Sequence, residues 1–367
     1  MKHFLIFLCI LITTYLYLNH HHKIVNKTTS LTYYKFDKNL SSTNNLNDTQ
    51  NIFKEICSDN NIHYINSVDQ ANIVFFTLLT DYIQVSYKLL KLNNIKYIYS
   101  IKSIDLLASK SILYEFLQNT LSKKELHNTV PVTYIIQNEL ELNKFKEQFN
   151  QNKMYILKKN VQRQKGCTIT NNLEYILQNA SEYVVCQELL MNPYLIDGYK
   201  INLRVYLLII IKTTPNLYIY NDGFIYYAPN KFDPSSVHDN VHITSGYVDR
   251  KMYDDKPMTI QEFMKTLNIQ DTRSLNFNIK RVFKNVHKSY YKYLSKYDSS
   301  NKTNFVICGA DLAVDGNLNC KLMEINKGPD LSYKDDRDKI VKYNLVNDAY
   351  KVVGLTDGFS ENYIHIS

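Results

Sequence analysis

Residues 305–330 read FVICGADLAVDGNLNCKLMEINKGPD. Two short apolar runs flank the Asp-Gly-Asn segment at 315–317, and an Asp-Gly pair between such runs is a strong signal for a β-hairpin. With a loop of two or four residues, Asp311 lies opposite Leu322 on the neighbouring strand. Glu324 is then the diagonal neighbour of Asp311, within reach of its side chain.

The alternation of side chains along a strand divides this hairpin into a polar and an apolar face. Asp311, Glu324 and Asn326 share the polar face, whereas the other face carries the apolar side chains of Ala310, Leu312, Met323 and Ile325. Two neighbouring carboxylates repel each other unless a cation lies between them, and an all-oxygen ligand set suits magnesium. The alternative is a solvated polar face without a ligand, and a three-residue loop would turn Asp311 to the opposite face.

The composition limits the classes of protein and partner. A chain of 367 residues is long enough for two or three packed domains. The formal net charge of +8 fits an acidic partner such as ATP, an acidic protein tail, nucleic acid or an anionic membrane. No basic run is interleaved with aromatic residues, so we expect no nucleic-acid partner. None of the six cysteines forms a CxxC pair, so the sequence predicts neither a zinc site nor a redox motif.

The N-terminus carries a nearly unbroken apolar run, Phe4–Leu18. We interpret residues 1–23 as an uncleaved membrane anchor, because histidines and a lysine follow the run where a cleavage site needs small residues. A cleaved signal peptide or a buried segment is the alternative. More lysines follow the run than precede it, which predicts a membrane-anchored protein with a cytoplasmic catalytic part. Residues 24–50 are polar and are predicted to be a linker.

The rest of the sequence alternates between helical and strand-like patterns, which predicts an α/β (α+β) fold. Residues 51–105 form a small N-terminal α/β domain in this prediction, with buried strands starting near Asn72 and Ile95. Residues 201–228 predict an antiparallel meander with a hairpin turn at the Asn-Asp-Gly segment 221–223.

Three basic residues stand out by their positions. Lys110 falls in the first turn of a helix that Ser109 can cap, where a cation is disfavoured unless a phosphate lies nearby. Lys158 ends a strand before the polar loop 160–169, an arrangement that suits a phosphate clamp. An exposed lysine and an ordinary basic loop are the respective alternatives. Arg204 lies within a long buried strand and therefore needs a charged partner.

Four separated pieces of the sequence together carry a resemblance to a known family. They are Lys158–Gly166, Gln187 with 197–206, His242–Ser245, and Asp311 with Glu324–Asn326. In this order and spacing the chain, from about residue 95 to 345, resembles the tubulin tyrosine ligase-like family of the ATP-grasp superfamily. The resemblance implies an ATP-grasp fold that holds the nucleotide between two α+β subdomains, a central one at 106–188 and a C-terminal one with the metal site at 189–367.

The resemblance also implies roles for individual residues. Contacts to the nucleotide are implied for Lys110, Lys158, Gln187, Leu189, Lys200 and Asn202. Contacts to the substrate carboxylate or the transferred phosphate, and hence catalytic roles, are implied for Arg204, His242 and Thr244. Magnesium ligation is implied for Asp311, Glu324 and Asn326, in agreement with the face that the hairpin predicts.

Several positions depart from the family pattern. Asn202 stands where the family more often has Asp, and Asn221 stands near the position of a usual Arg. Ser245 replaces an Asn, and Lys327 and Asp330 alter the ending of the magnesium motif. These departures bear on substrate choice more than on ATP binding.

The activity that the resemblance implies is an ATP- and Mg²⁺-dependent carboxylate-amine ligase of the tyrosination or glutamylation type. Such an enzyme activates a protein carboxylate, for instance on a tubulin tail, as an acyl phosphate and joins it to a free amino acid. A ligase for a small-molecule or peptide acceptor is one alternative. A non-catalytic ATP-grasp-like binding module is the other.

Overall fold

The computed structural model of the protein describes residues 30–36, 48–76, 88–160, 166–246, 248–294 and 301–366. In this part of the chain, helices flank two β-sheets. The mixed α/β fold class is thereby confirmed, and the two-sheet arrangement is consistent with an ATP-grasp type of fold.

The strands follow in chain order from the N-terminal to the C-terminal end of the described residues. They are β1 (Thr32–Phe36), β2 (His63–Tyr64), β3 (Ile73–Phe76), β4 (Tyr97–Tyr99), β5 (Thr133–Tyr134), β6 (Tyr155–Lys158), β7 (Cys167–Thr170), β8 (Val185–Glu188), β9 (Leu195–Ile196), β10 (Tyr199–Ile211), β11 (Pro215–Tyr227), β12 (Thr303–Val314), β13 (Cys320–Asn326) and β14 (Tyr363–Ile366). The large sheet has the order β14-β11-β10-β12-β4-β3-β1-β2, with β13 on β12 and β9 on β10. The small sheet has the order β5-β8-β6-β7.

The helices lie between these strands and are numbered separately. They are α1 (Asp48–Asp59), α2 (Ile104–Ala108), α3 (Lys110–Thr120), α4 (Lys123–Thr129), α5 (Glu139–Gln148), α6 (Leu173–Gln178), α7 (Asp239–His242), α8 (Met252–Asp255), α9 (Ile260–Thr266), α10 (Ile269–Leu294) and α11 (Asp336–Val353). Ser122 and Thr259 form capping boxes at the starts of α4 and α9, which satisfies amide groups that a helix start leaves unpaired. Gly354 ends α11 at a φ of 85°, a conformation that glycine adopts without strain.

The large sheet joins the N-terminal and C-terminal parts of the chain. Strand β12 pairs in parallel with β4 through Thr303↔Tyr97, so the parallel strands β1–β4 extend the antiparallel strands β10–β14. Strand β1 falls within residues 24–50, which the sequence predicts as a linker. The boundaries of the N-terminal, central and C-terminal domains stay predictions.

Each sheet has its own hydrophobic core. The core of the large sheet runs from Ile52 on α1 to Ile366 on β14. The core of the small sheet is a separate, much smaller cluster around Phe145 and Tyr155. Strand β10 is buried along most of its length and pairs with β11 on one side and β12 on the other.

The predicted hairpin turn at 221–223 is wrong, because β11 continues through this segment and the chain reverses at 212–214 instead. A Cβ at Gly223 would lie 2.1 Å from the backbone oxygen of Arg204, so this glycine allows close strand contact. The carboxylate of Asp222 accepts a hydrogen bond of 3.1 Å from the backbone N–H of Gln261. Tertiary contacts thus convert a local turn signal into an irregularity within a strand.

The predicted membrane anchor requires a correction. Across the described ranges of the chain, the structure contains no helix that combines the length and the apolar character needed to cross a membrane. This finding overturns the predicted transmembrane helix and the membrane-anchored location that was based on it. The apolar run Phe4–Leu18 itself lies outside the described residues.

Candidate active site

The loop between β12 and β13 differs from the predicted one. The N–H of Asp315 donates to the carbonyl of Asn319 at 3.0 Å, so the loop consists of the three residues 316–318. Leu318 has a φ of 63°, which is unusual for a residue with a side chain. With an otherwise regular register, this loop would place Asp311 and Glu324 on opposite faces.

A β-bulge restores the shared face. Asp311 pairs directly with Glu324, while the next pair is Leu312 with Leu322, so Met323 is an extra residue on β13. Met323 was predicted to face the core, but it is half-buried and lines a cleft. The loop and the bulge each shift the register by one residue in the same direction, and a total shift of two residues returns Glu324 to the face of Asp311 as its direct partner.

Each of the two carboxylates is held by a cation. Arg204 contacts Asp311 through two bonds, Nε to Oδ1 at 2.6 Å and Nη2 to Oδ2 at 3.1 Å. The two residues are direct partners on neighbouring strands, and a Cβ at Gly309 would lie 3.1 Å from Nη1 of Arg204. Lys110 Nζ lies 3.4 Å from Oε2 of Glu324. Lys110, which the sequence predicts in the first turn of a helix, thus reaches the face that carries the predicted metal ligands.

The electrostatic environment differs between the two acids. Burial raises the pKa of Asp311, although Arg204 opposes this shift. Burial also tends to raise the pKa of Glu324, but the charges of Lys110 and Lys158 outweigh it and the pKa is lowered. Such closely spaced acids are stabilised by positive charge between or beside them.

The side chains on this face offer the types of donor atom that a magnesium ion prefers. Asn326 donates from Nδ2 to Oε1 of Glu324 at 3.2 Å, which orients its amide and leaves Oδ1 as the atom that would ligate a cation. Two carboxylates and one amide oxygen form a hard donor set, as magnesium requires. The described residues contain no cluster of three or more His, Cys, Asp or Glu side chains that could hold a metal ion, so a cation here would depend on the amide of Asn326 as its third protein ligand.

The carboxylate face opens into a cleft between the two sheets. Its lining comes from α2, α3, the end of α4, β6, β8 and β13, and consists of Ala108, Lys110, Leu113, Tyr114, Leu117, Val130, Lys158, Val185, Gln187, Leu322, Met323, Glu324 and Ile325. Apolar residues therefore form most of the wall, with charged groups converging at one end. Such a lining is typical of a ligand site with a few orienting polar groups.

Lys158 brings positive charge into the cleft from the small sheet. It is 6% exposed, and burial lowers its pKa. The nearby charge of Glu324 acts in the opposite direction. Residues 161–165 of the predicted clamp loop lie outside the described residues, and the predicted loop gives way to strand β7 at Cys167.

Gln187 lines the cleft, and Leu189 directly follows the end of β8. Nε2 of Gln187 donates to Oγ1 of Thr133 at 2.8 Å, and that hydroxyl donates to the carbonyl of Pro131, so the amide orientation is fixed. Within the described residues, Oε1 of Gln187 is buried without a hydrogen-bond partner. A buried acceptor of this kind is costly unless a ligand satisfies it. Leu189 packs in an apolar cluster with Ile156.

Lys200 and His242 occupy the same neighbourhood of the site. Burial, together with the charge of Lys158, lowers the pKa of Lys200 to about 8. Burial also lowers the pKa of His242, and Lys200 contributes to this shift. Nε2 of His242 lies 2.7 Å from the carbonyl oxygen of Ser236, which can only accept, so Nε2 carries the proton. In the described part of the chain Nδ1 is buried without a partner, which makes it an acceptor.

The remaining predicted residues lie close to these groups. Thr244 is buried just after the short helix α7, which the sequence analysis did not predict. Asn202 lies two positions before Arg204 on β10, and its Oδ1 is buried without a partner among the described residues. The sequence analysis missed Tyr226, whose ring lies 4.9 Å from the guanidinium carbon of Arg204. Tyr226 pairs with Asn202 across β10 and β11 and is thus a diagonal neighbour of Arg204. The alternation of side chains along β11 is the signal that could have identified it.

Comparison with known proteins assigns the family. The pattern of the tubulin-tyrosine ligase family matches residues 91–359, well over half of the chain. The chain therefore belongs to the tubulin-tyrosine ligase family.

Three similar curated proteins are named as tubulin polyglutamylases. A probable beta-tubulin polyglutamylase of Tetrahymena thermophila is 28% identical over 257 residues, covering 62% of this chain and 21% of the relative. The probable tubulin polyglutamylase TTLL9 of Rattus norvegicus is 29% identical over 183 residues, covering 47% of this chain and 39% of the relative. The tubulin polyglutamylase TTLL6 of Mus musculus is 27% identical over 226 residues, covering 56% of this chain and 27% of the relative. The chain thus matches well under half the length of these relatives.

Proposed function

We propose that the protein is an ATP- and Mg²⁺-dependent ligase that joins a free amino acid to a carboxylate of an acidic protein. The observation that carries this proposal is the cleft in which Lys158 of the small sheet lies across from Glu324 and Lys110, with Asp311 and Asn326 beside Glu324. Oxygen ligands for a divalent cation and desolvated lysines for phosphate are the two components that a nucleotide-dependent ligase needs.

The reaction requires an activated carboxylate. A carboxylate oxygen is a poor leaving group, so an amine does not displace it at neutral pH. Transfer of a phosphoryl group from ATP gives an acyl phosphate, and attack by the amine of the amino acid then releases phosphate and forms the amide. Positioning and electrostatic stabilisation account for most of the catalysis in such a mechanism.

The cationic side chains would bind and orient the phosphates. Lys158 and Lys200 are buried cations with lowered pKa values, and phosphate oxygens would restore the favourable environment that burial removes. Arg204 would hold the substrate carboxylate or the transferred group, with Tyr226 and Asp311 fixing its orientation. A magnesium ion on Asp311, Glu324 and Asn326 would supply charge neutralisation at the phosphate oxygens.

The neutral His242 would act as an acceptor rather than as a cation. Its protonated Nε2 is engaged by the carbonyl of Ser236, so Nδ1 would take a hydrogen bond or a proton from a group in the cleft. The amine of the amino acid must lose a proton as the amide forms. Nδ1 of His242 is a suitable atom to receive it.

The relatives support one choice of substrates. Their names describe addition of glutamate to tubulin, so we propose glutamate as the amino acid and a glutamate-rich protein tail, such as that of tubulin, as the acceptor. The net charge of +8 suits an acidic acceptor. Addition of tyrosine in place of glutamate is the alternative, and it would use the same ligation chemistry.

The direct test uses the full chain with Mg-ATP, an isotope-labelled amino acid and an acceptor. Glutamate, tyrosine and glycine are supplied separately with tubulin, with tail peptides or with free glutamate, and the added mass is measured. We expect ATP-dependent addition of glutamate to tubulin or its tail. Addition to free glutamate alone would favour the small-molecule alternative. Binding of Mg-ATP without transfer to any acceptor would identify a non-catalytic module.

A further inference from the structure

The long helix α10 leaves a basic face in solvent. Its opposite face packs against α3 and β13. At 3.6 residues per turn, the exposed side chains from Arg273 to Tyr291 fall within an arc of roughly 80°. We call these residues, together, the basic face of α10: Arg273, Phe277, Lys280, Lys284, Lys288 and Tyr291.

The charge pattern of this face does not serve the stability of the helix. Lys280, Lys284 and Lys288 follow one another at spacings of four residues, and like charges at that spacing destabilise a helix. After Asp271 the sequence of the helix contains no acidic residue. Lys288 Nζ lies 3.0 Å from Oε1 of Glu125, a contact between α10 and α4.

Helix α4 extends the positive surface. Its first turn begins with Lys123 and Lys124, and both are exposed. Cations at this end of a helix oppose the helix dipole, so folding does not favour them there. The contact between Lys288 and Glu125 places this turn beside the basic face of α10.

An exposed aromatic ring lies among these cations. Phe277 is 65% exposed, and the guanidinium carbon of Arg281 lies 6.0 Å from the centre of its ring. A large aromatic residue next to arginine is a combination that interfaces favour over the rest of a protein surface. An acidic segment with apolar side chains would contact both kinds of group.

The basic face lies one helix away from the cleft. Helix α10 packs on α3, and α3 begins at Lys110, which contacts Glu324. The 11 residues of α3 span about 16 Å. An extended polypeptide covers about 3.3 Å per residue, so roughly five to ten residues would connect the two places.

We propose that the basic face of α10 docks an acidic segment of the protein that carries the acceptor carboxylate. This proposal rests on the proposed function and specifies how the acceptor is held. Charge complementarity favours an acidic polypeptide as the partner of this face. The reaction for which the relatives are named adds glutamates, so each round of modification would make the acceptor protein more negative.

A binding experiment tests the surface without catalysis. Fluorescent peptides of about twelve glutamates are titrated with the full chain at low salt, and anisotropy is measured. The variant Lys280→Glu/Lys284→Glu should bind on the order of tenfold more weakly, and added salt should reduce the difference. The control Lys54→Glu/Lys146→Glu makes the same change of net charge at exposed lysines of α1 and α5. Equal weakening in both variants would refute a specific face.

A kinetic experiment separates docking from catalysis. For an acceptor with a long acidic segment, Lys280→Glu/Lys284→Glu should raise KM about tenfold and leave kcat unchanged, since rim charges act mainly on encounter. A peptide too short to reach α10 should react equally well with both proteins. Equal loss with the long and the short acceptor would overturn the proposal.

The two proposals fail in distinguishable ways. A wild-type protein that modifies no acceptor, yet binds the peptide through Lys280 and Lys284, would refute the ligase and retain the docking surface. Binding to phosphatidylserine vesicles without binding to the peptide would refute the docking of an acidic polypeptide and indicate a lipid surface instead.

Discussion

The two sheets contribute to the cleft in opposite ways. On the side of the large sheet the charged groups are already paired, Arg204 with Asp311 and Lys110 with Glu324. On the side of the small sheet, Lys158 is a buried cation and Oε1 of Gln187 has no partner among the described residues. The two acids of the large sheet are therefore paired before a ligand arrives, while Lys158 and Gln187 of the small sheet, like Lys200 and Asn202 on β10, are groups that a ligand would satisfy.

The difference follows from the architecture. Neighbouring strands of the large sheet fix the positions of its charged groups, because β10, β12 and β13 pair side by side. The small sheet has a separate and smaller core around Phe145 and Tyr155. We infer that specificity for the nucleotide depends on the small sheet, whereas charge stabilisation of the reaction depends on the large one.

The largest expected effect comes from removing the charges of the large sheet. In Asp311→Asn/Glu324→Gln, the ligation rate should fall by at least about a thousandfold, because metal charge stabilisation contributes several kcal/mol. Rates are measured at saturating Mg-ATP, and Mn²⁺ binding is measured in parallel. The control Glu182→Gln changes an exposed acid that pairs with Lys159. Turnover near the wild-type value would remove both acids from the mechanism.

A change at Lys158 tests the small sheet. Lys158→Met should weaken nucleotide binding by about a hundredfold, since it removes a desolvated cation. The same change should raise the Tm of the ligand-free protein, because an apolar side chain avoids the cost of a buried charge. Calorimetry measures both quantities. A lower Tm together with unchanged nucleotide binding would assign a structural role to Lys158.

The lowered pKa of Lys200 predicts a pH dependence. Its pKa is about 8 in the folded protein, compared with 10.5 for an unperturbed lysine, so the unfolded chain binds more protons between these values. The contribution of Lys200 to stability therefore increases as the pH rises through this window. Bound phosphates would raise its pKa, so nucleotide affinity should fall above about pH 8, by up to about tenfold per pH unit.

The matched variant for this experiment is Lys200→Arg. Arginine stays charged throughout the range, so the part of the pH dependence that Lys200 causes should disappear. Affinity is measured by calorimetry from pH 7 to about 10. Identical pH profiles for the two proteins would show that Lys200 does not face the nucleotide.

The smallest expected effect concerns Gln187. Gln187→Leu removes the unpartnered Oε1, so the ligand-free protein should keep its stability. Preference for ATP over GTP should drop by roughly fivefold to tenfold, the worth of about one hydrogen bond. Competition binding with both nucleotides measures this ratio. An unchanged ratio would place the base elsewhere in the cleft.

Much of the site was predictable because it depends on local patterns. The alternation of polar and apolar residues in 305–330 identified Asp311, Glu324 and Asn326 as one face. Yet the predicted register was wrong, since neither the three-residue loop nor the bulge at Met323 has a distinctive local signal. The prediction of a shared face succeeded because the two shifts add to two residues, and side chains two positions apart on a strand point to the same face.

Other features depend on distant parts of the chain and could not be read from a single segment. The turn signal at 221–223 was overridden by contacts to Gln261 and by the close approach of β10 at Gly223. The short helix α7 and the pairing of β12 with β4 likewise depend on contacts across the fold.

The sequence by itself determined the class of fold, the family resemblance and the chemical types of the site residues, because these depend on periodicity and on motifs in fixed order. The tertiary structure alone decided which cation pairs with which acid, which polar atoms stay unsatisfied, and how β13 returns Glu324 to the face of Asp311. The ion pairs depend on distances between segments that are more than a hundred residues apart, such as Arg204 and Asp311. Local patterns contain no information about such distances.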